Sequence, residues 1–219
     1  MNISLSCDFA NRDLKVRLGI IQADVVIEDA SAELLQQLEE TAECRIADFN
    51  GQPASTDPQI MATRKAYKAL GKDPARYRPA AEALTRRILS GKGIYHVNNV
   101  VDVNNLISIK SGISIGTYIS EKIQGDVSFR RAGEGESYKG IGRGDLNLEG
   151  LPVFCDELGP FGCPTSDSER TMITPGNHQI IMVLIYFGEG EGLQAYLDET
   201  ASLLAKYCQA QNLVQTITQ

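Results

Sequence analysis

Asn98-Asn99-Val100-Val101-Asp102-Val103-Asn104-Asn105-Leu106-Ile107-Ser108-Ile109-Lys110-Ser111-Gly112 is the stretch on which the reading of this chain turns. Val100, Val101, Val103, Ile107 and Ile109 recur with helical spacing and make an apolar body, and Gly112 ends it. Asp102, Asn104 and Asn105 interrupt that body. A polar group on an apolar helix costs free energy unless it is hydrogen-bonded. Two readings follow. Neighbouring backbone satisfies the three side chains, or they face a pocket and read a ligand.

Upstream, residues 2–28 read as strands, with Ile3, Leu5 and Cys7, then Leu14, Val16, Leu18 and Ile20, alternating with other residues. Asn11-Arg12-Asp13 supplies the turn. Ser31 is placed to cap a helix that runs to about Asp48. A Pro/Gly/Ser-rich loop, 50–58, follows, then helices over Gln59–Leu70 and Pro79–Leu89, with Glu82 and Arg86 spaced to pair. Downstream come glycine-rich turns, where Gly140-Ile141-Gly142-Arg143-Gly144 lacks the lysine and following helix of a phosphate loop. Leu151–Cys155 and Gln179–Phe187 read as strands, the second buried on both faces because Ile180–Ile185 does not alternate. An amphipathic helix over about Glu191–Ala210 ends the pattern. The expected fold is α+β, a mixed sheet with helices packed on it, in which residues 1–57 (β-β-α) pack on a main domain of residues 58–219.

The 219 residues are 42% hydrophobic and 22% charged, an ordinary globular balance. No run reaches membrane-span length and the start carries no basic-then-apolar leader, so a cytoplasmic protein is expected. Five scattered cysteines, no C-x-x-C and only His96 and His178 point to reduced thiols and to no metal or other cofactor. The net charge of −7 hides an asymmetry: Arg64–Lys92 holds nine basic residues against Asp73 and Glu82, a balance of +7 that leaves −14 for the rest. Such a stretch either steers a polyanion or covers solvated helix faces.

The order of motifs carries a resemblance. After the opening helix come Ile113-Ser114-Ile115-Gly116-Thr117-Tyr118 and Asp126-Val127-Ser128-Phe129-Arg130-Arg131-Ala132-Gly133-Glu134-Gly135-Glu136. Helix, glycine break, strand and an R-R-A-x-x-G-E segment together resemble the tRNA-binding and editing region of the phenylalanyl-tRNA synthetase beta chain, from about Arg64 to about Phe187. The chain looks like one of the free-standing proteins that resemble only this region.

The resemblance implies a tRNA or aminoacyl-tRNA 3′ end as partner and hydrolysis of a mischarged ester by a positioned water, without a protein nucleophile. It also implies where this chain departs from the family. The family's Thr-Asn pair falls on Asn104-Asn105, its strand histidine on Gly116, and its late acidic residue near Val183. A ligand other than tyrosine is therefore expected. The expected pocket comprises Asn104, Asn105, Gly116 and the loop with Gly162, Ser166, Ser168 and Arg170. The expected RNA-binding residues are Arg64, Lys65, Lys68, Arg76, Arg86, Arg87 and Lys92. No catalytic residue is assigned, and neither histidine sits in a triad pattern. Three classes stay open: a trans-editing deacylase, a tRNA- or amino-acid-binding module without catalysis, and a small-molecule-binding protein that keeps only the fold. A ligase is excluded by length, and the oligomeric state is left open.

Overall fold

The computed structural model of the chain describes residues 2–218. In order they form β1 (Ile3–Leu5), α1 (Cys7–Ala10), β2 (Val16–Ile27), α2 (Ala32–Phe49), α3 (Pro58–Ala69), α4 (Ala80–Leu89), α5 (Asn99–Ser111), β3 (Ser114–Ile119), β4 (Val127–Arg131), β5 (Ser137–Gly140), β6 (Gly144–Asn147), β7 (Pro152–Asp156), β8 (Gly159–Gly162), β9 (Gly176–Phe187), α6 (Leu193–Tyr207) and β10 (Gln211–Thr218). A central antiparallel sheet runs β10-β2-β9-β3, and a smaller mixed sheet runs β1-β4-β7-β8, with β1 and β4 parallel. The architecture is α+β, as expected.

The run Ile180–Phe187 is apolar throughout because β9 lies between two cores. Successive side chains of a strand point to opposite faces. Ile180, Met182, Leu184 and Tyr186 join the core built with α2, α4, α5 and α6. Ile181, Val183, Ile185 and Phe187 join the core shared with α3 and the smaller sheet, where Phe129, Phe154 and Phe161 pack. β2 pairs with β9 from Val16↔Phe187 to Ile27↔Gly176, so the first 57 residues supply a central strand of the same sheet.

The helix α5 forms where its periodicity and caps put it. The Asn98 side chain accepts the Val101 N–H, and Gly112 closes the helix in the left-handed region at φ 71°. It crosses the middle of the helical layer, and Asn99, Val100, Asp102, Val103 and Asn105–Ile109 are buried. Asp57 and Ser31 cap α3 and α2 in the same manner.

Three local expectations differ from the structure. Ser6 caps a one-turn helix, α1, where the alternation predicts strand through Cys7. The apolar spacing of Ala80, Ala83, Leu84 and Ile88 predicts that face of α4 to be buried, whereas the buried face is Ala81, Leu84, Thr85 and Ile88 with Glu82, and Ala80 and Ala83 lie at its margin. The central sheet is closed by β10, antiparallel to β2, after α6 ends at Tyr207. The glycine-rich run is a hairpin, β5–β6, whose turn contains Gly142 at φ 66°.

Candidate functional site

A cavity of about 880 Å³ opens between α4, α5, β3, the turn of the β5–β6 hairpin and the loop 163–173. That volume lies within the range of small-molecule sites. Each element presents one side. From α5 come Asn104 and Asn105, and from β3 Ile115 and Thr117. The loop adds Thr165, Ser166 and Asp167. Ala83, Leu84, Met172 and Ile173 give an apolar wall. The mouth is basic: among the described residues, Arg78, Arg86, Arg87, Lys92 and Arg143 line it against the single acid Asp167.

Several polar groups of the lining have no protein partner. Asn105 Nδ2, Asn104 Oδ1 and Thr117 Oγ1 are buried atoms without a hydrogen bond among the described residues. Asn105 is 5% exposed and Thr117 7%. Unpartnered buried donors and acceptors are rare and costly, and each calls for an explanation such as a catalytic role, a water or an ion. Other polar groups nearby are satisfied. Thr165 Oγ1 meets the Tyr67 hydroxyl at 2.9 Å, and the Ser108 hydroxyl donates to the Ile113 carbonyl at 2.8 Å.

Asp167 is the electrostatic centre of the loop. Burial pushes its carboxyl up to about 7, while the Tyr118 hydroxyl and the backbone N–H groups of Cys163 and Thr117 pull it back toward ionisation. The Tyr118 hydroxyl donates to Asp167 Oδ1 at 2.9 Å. β3 is an edge strand of the central sheet, and the loop closes that edge: the Ile119 N–H donates to the Thr171 carbonyl at 3.0 Å. A second buried acid, Asp102, lies on α5 outside the cavity lining. Burial raises its pKa, countered by His96, whose Nδ1 is 3.4 Å from Asp102 Oδ2.

The basic mouth is organised from below by a buried carboxylate. Glu82 is fully buried, and both of its oxygens accept bonds from Arg64, at 2.8 and 2.9 Å. Arg78 and Arg86 stand 3.8 and 3.7 Å from the same carboxylate. Glu82 therefore pairs with Arg86 as its spacing suggests, but its close partner is Arg64, which is committed inside the protein.

Residues 62–209 match the model of the B3/4 domain. The chain belongs to that family. The match contains the whole stretch, about Arg64 to about Phe187, in which the sequence resembles the phenylalanyl-tRNA synthetase beta-chain region. No curated protein matches this B3/4 chain. A crystal structure of an N-terminal fragment of the phenylalanyl-tRNA synthetase beta-subunit from Pyrococcus horikoshii is similar to it over 100% of this chain, at 13% identity and a TM-score of 0.49, and the chain spans 55% of that fragment.

Within this B3/4 domain the expected pocket residues separate. Asn104, Asn105 and Ser166 share the cavity with Arg86, Arg87 and Lys92. Gly116 does not line it. Alternation along β3 turns Ile115 and Thr117 to the cavity, and Gly116 lies on the face of Tyr118, whose ring occupies the space a side chain there would take. Gly162 borders the same ring, so both glycines seat Tyr118 and neither forms a floor. Val183 pairs with Gly116 and is packed in the core shared with α3 and the smaller sheet, on the face of β9 away from α5.

Arg170 clamps buried Asp156 through two bonds of 2.9 and 3.0 Å and also donates to the Lys122 and Gly159 carbonyls. Ser168 is buried and accepts the Arg170 N–H at 3.1 Å. Both are occupied in holding the loop. Lys65, Lys68 and Arg76 are exposed and lie outside the cavity lining. Thr117 and Asp167 join the site without a signal in the sequence that singles them out. Among the described residues, no three histidine, cysteine or carboxylate side chains gather as a metal site, and no helix is long and apolar enough to cross a membrane.

Proposed function

We propose that this cavity receives the aminoacylated 3′ end of a tRNA and that the protein hydrolyses mischarged aminoacyl-tRNA in trans, in the cytoplasm. The observation that carries the reading is the pairing of two features in one cavity: a mouth with five basic side chains, and beneath it the unpartnered Asn105 Nδ2, Asn104 Oδ1 and Thr117 Oγ1. Cationic side chains hold phosphates without reading sequence. The carboxamides and hydroxyl beneath offer both donors and acceptors, as an ester carbonyl, an α-amino group and ribose hydroxyls require. Membership of the B3/4 family supports the same direction.

The chemistry asked of the site is modest. Holding the ester and a water in reacting geometry, with N–H and O–H donors aimed at the developing oxyanion, lowers the barrier without a covalent intermediate. The amino-acid side chain would lie against Ala83, Leu84, Met172 and Ile173, an apolar wall with no partner for a tyrosine hydroxyl. The cavity therefore favours an aliphatic or small aminoacyl group.

The test is deacylation of a panel of mischarged tRNAs by the purified protein. Turnover of one or a few aminoacyl esters, with uncharged tRNA as competitor, supports the reading. Tight binding of aminoacyl-tRNA with no turnover of any ester would reduce the function to a binding module. Failure to bind RNA at all would leave the fold as a small-molecule site.

A further inference from the structure

We infer, on the reading that the cavity holds an aminoacyl ester, that Asp167 is its general base and Tyr118 the positioning residue behind it. Asp167 lines the cavity, and the residue is half-buried. A carboxylate has about four lone-pair sites. The Tyr118 hydroxyl takes one of them at 2.9 Å, which leaves lone pairs free to hold a water. Thr117 joins the two halves of the site: its backbone N–H faces Asp167 and its hydroxyl lies unpartnered in the cavity lining.

The basic side chains Arg78, Arg86, Arg87, Lys92 and Arg143 line the same cavity as this carboxylate, and the ionisable groups against it are Tyr118 on β3, Tyr138 on β5 and Cys163 in its own loop. Burial above all holds these three above their ordinary values, so each is neutral near pH 7. Burial likewise brings Asp167 to about 7. A base with that affinity for protons is matched to proton transfer at neutral pH.

The step balances on a single water. The water oxygen bonds to the ester carbonyl carbon as Asp167 takes one of its protons. The carbonyl π pair moves onto oxygen, where Asn105 Nδ2 and the Thr117 hydroxyl donate to it. The oxyanion pair then re-forms the carbonyl, the bond to the ribose oxygen breaks, and that oxygen takes the proton back from Asp167. The products are a free amino acid and a tRNA with its ribose hydroxyl restored.

The experiment is single-turnover deacylation between pH 5 and 9, corrected for spontaneous hydrolysis, together with binding of a non-hydrolysable, amide-linked aminoacyl-tRNA. Wild type should show a rate that rises with slope one and levels near pH 7. Asp167→Asn should lose about 10²- to 10⁴-fold in rate, the usual contribution of a general base, with analogue binding within about twofold. Tyr118→Phe removes a bond that favours the ionised form, so its bend should move to higher pH. This shift decides the question even where Asp167→Asn is poorly folded, because a merely structural tyrosine would not move it. An Asp167→Asn rate within threefold of wild type, or an unshifted bend in Tyr118→Phe, overturns the assignment. A wild type that binds the analogue but hydrolyses no ester overturns the deacylase reading itself, and the base with it.

Discussion

Asn99 and Asn105 stand on the same helix and are buried to similar degrees, yet they differ in what holds them. The Asn99 side chain donates to the Val26 and Tyr207 carbonyls and accepts the Glu28 and Val100 N–H groups. Asn105 Nδ2 meets no acceptor. Asn99→Ala should therefore cost about 3 kcal/mol or more, since it orphans several buried groups. Asn105→Ala should cost under about 1 kcal/mol and act on ligand affinity, which chemical denaturation and tRNA-binding titrations of the two variants will separate. Asp167 makes a second prediction at this scale. Its pKa is raised in the folded state to about 7, so the native protein holds a proton that the unfolded chain has released. Stability from this group is full below the ordinary carboxylate range and is lost as pH rises toward 7. Asp167→Asn should melt closer to, or above, wild type at pH 8 and relatively lower at pH 4, a stability gain traded against activity. Asn105 is legible in the sequence because a carboxamide on an apolar helix needs explaining. Asp167 is not, because its meaning comes from Tyr118, far away in the chain. Gly116 falls on the face opposite to the expected one because alternation gives the two faces of a strand but not which one meets the cavity.

At the scale of elements, α4 and the glycines around Tyr118 set the site. α4 turns Arg86 and Arg87 to the cavity mouth while its buried Glu82 secures Arg64, Arg78 and Arg86. Charge removal at Arg86, Arg87 and Lys92 should weaken tRNA binding and flatten the log–log salt slope by about 0.7 to 0.9 for each phosphate no longer neutralised. Arg64→Ala should behave differently. It leaves Glu82 buried without its close partner and should destabilise the fold by about 3 to 5 kcal/mol, visible in urea titrations before any effect on RNA. Gly116→Ala should also cost about 1 to 3 kcal/mol, because an added Cβ collides with the Tyr118 ring. Helices are the legible elements: Ser31, Asp57 and Asn98 cap where their residue types indicate. The four-residue α1 is too short for a period to show, and β10 follows a helix with polar residues on its outer face, so neither stands out from turns.

At the scale of the molecule, the arrangement follows from β9, whose two faces feed two cores, and from β2, which binds the first residues of the chain to it. The sequence shows that Ile180–Ile185 is buried on both sides, but not that β2 and β10 lie beside it, since pairings between distant segments leave no periodic trace. We propose that residues 1–57 and the remainder unfold as one unit, because separating them would strip β9 of its partner strand, and calorimetry should give a single transition. A chain cut after Ala210 would expose the edge of β2 and should aggregate. The central claim is that the cavity between α4, α5, β3 and the loop 163–173 reads the aminoacylated end of a tRNA. The most direct measurement is the affinity of wild type and Asn105→Ala for an amide-linked aminoacyl-tRNA and for the same tRNA uncharged, at one salt concentration. Tighter binding of the charged analogue by wild type, with that preference abolished and the fold kept in Asn105→Ala, is the expected result. Equal affinity of wild type for the charged and uncharged tRNA, or a preference that survives in Asn105→Ala, would contradict it.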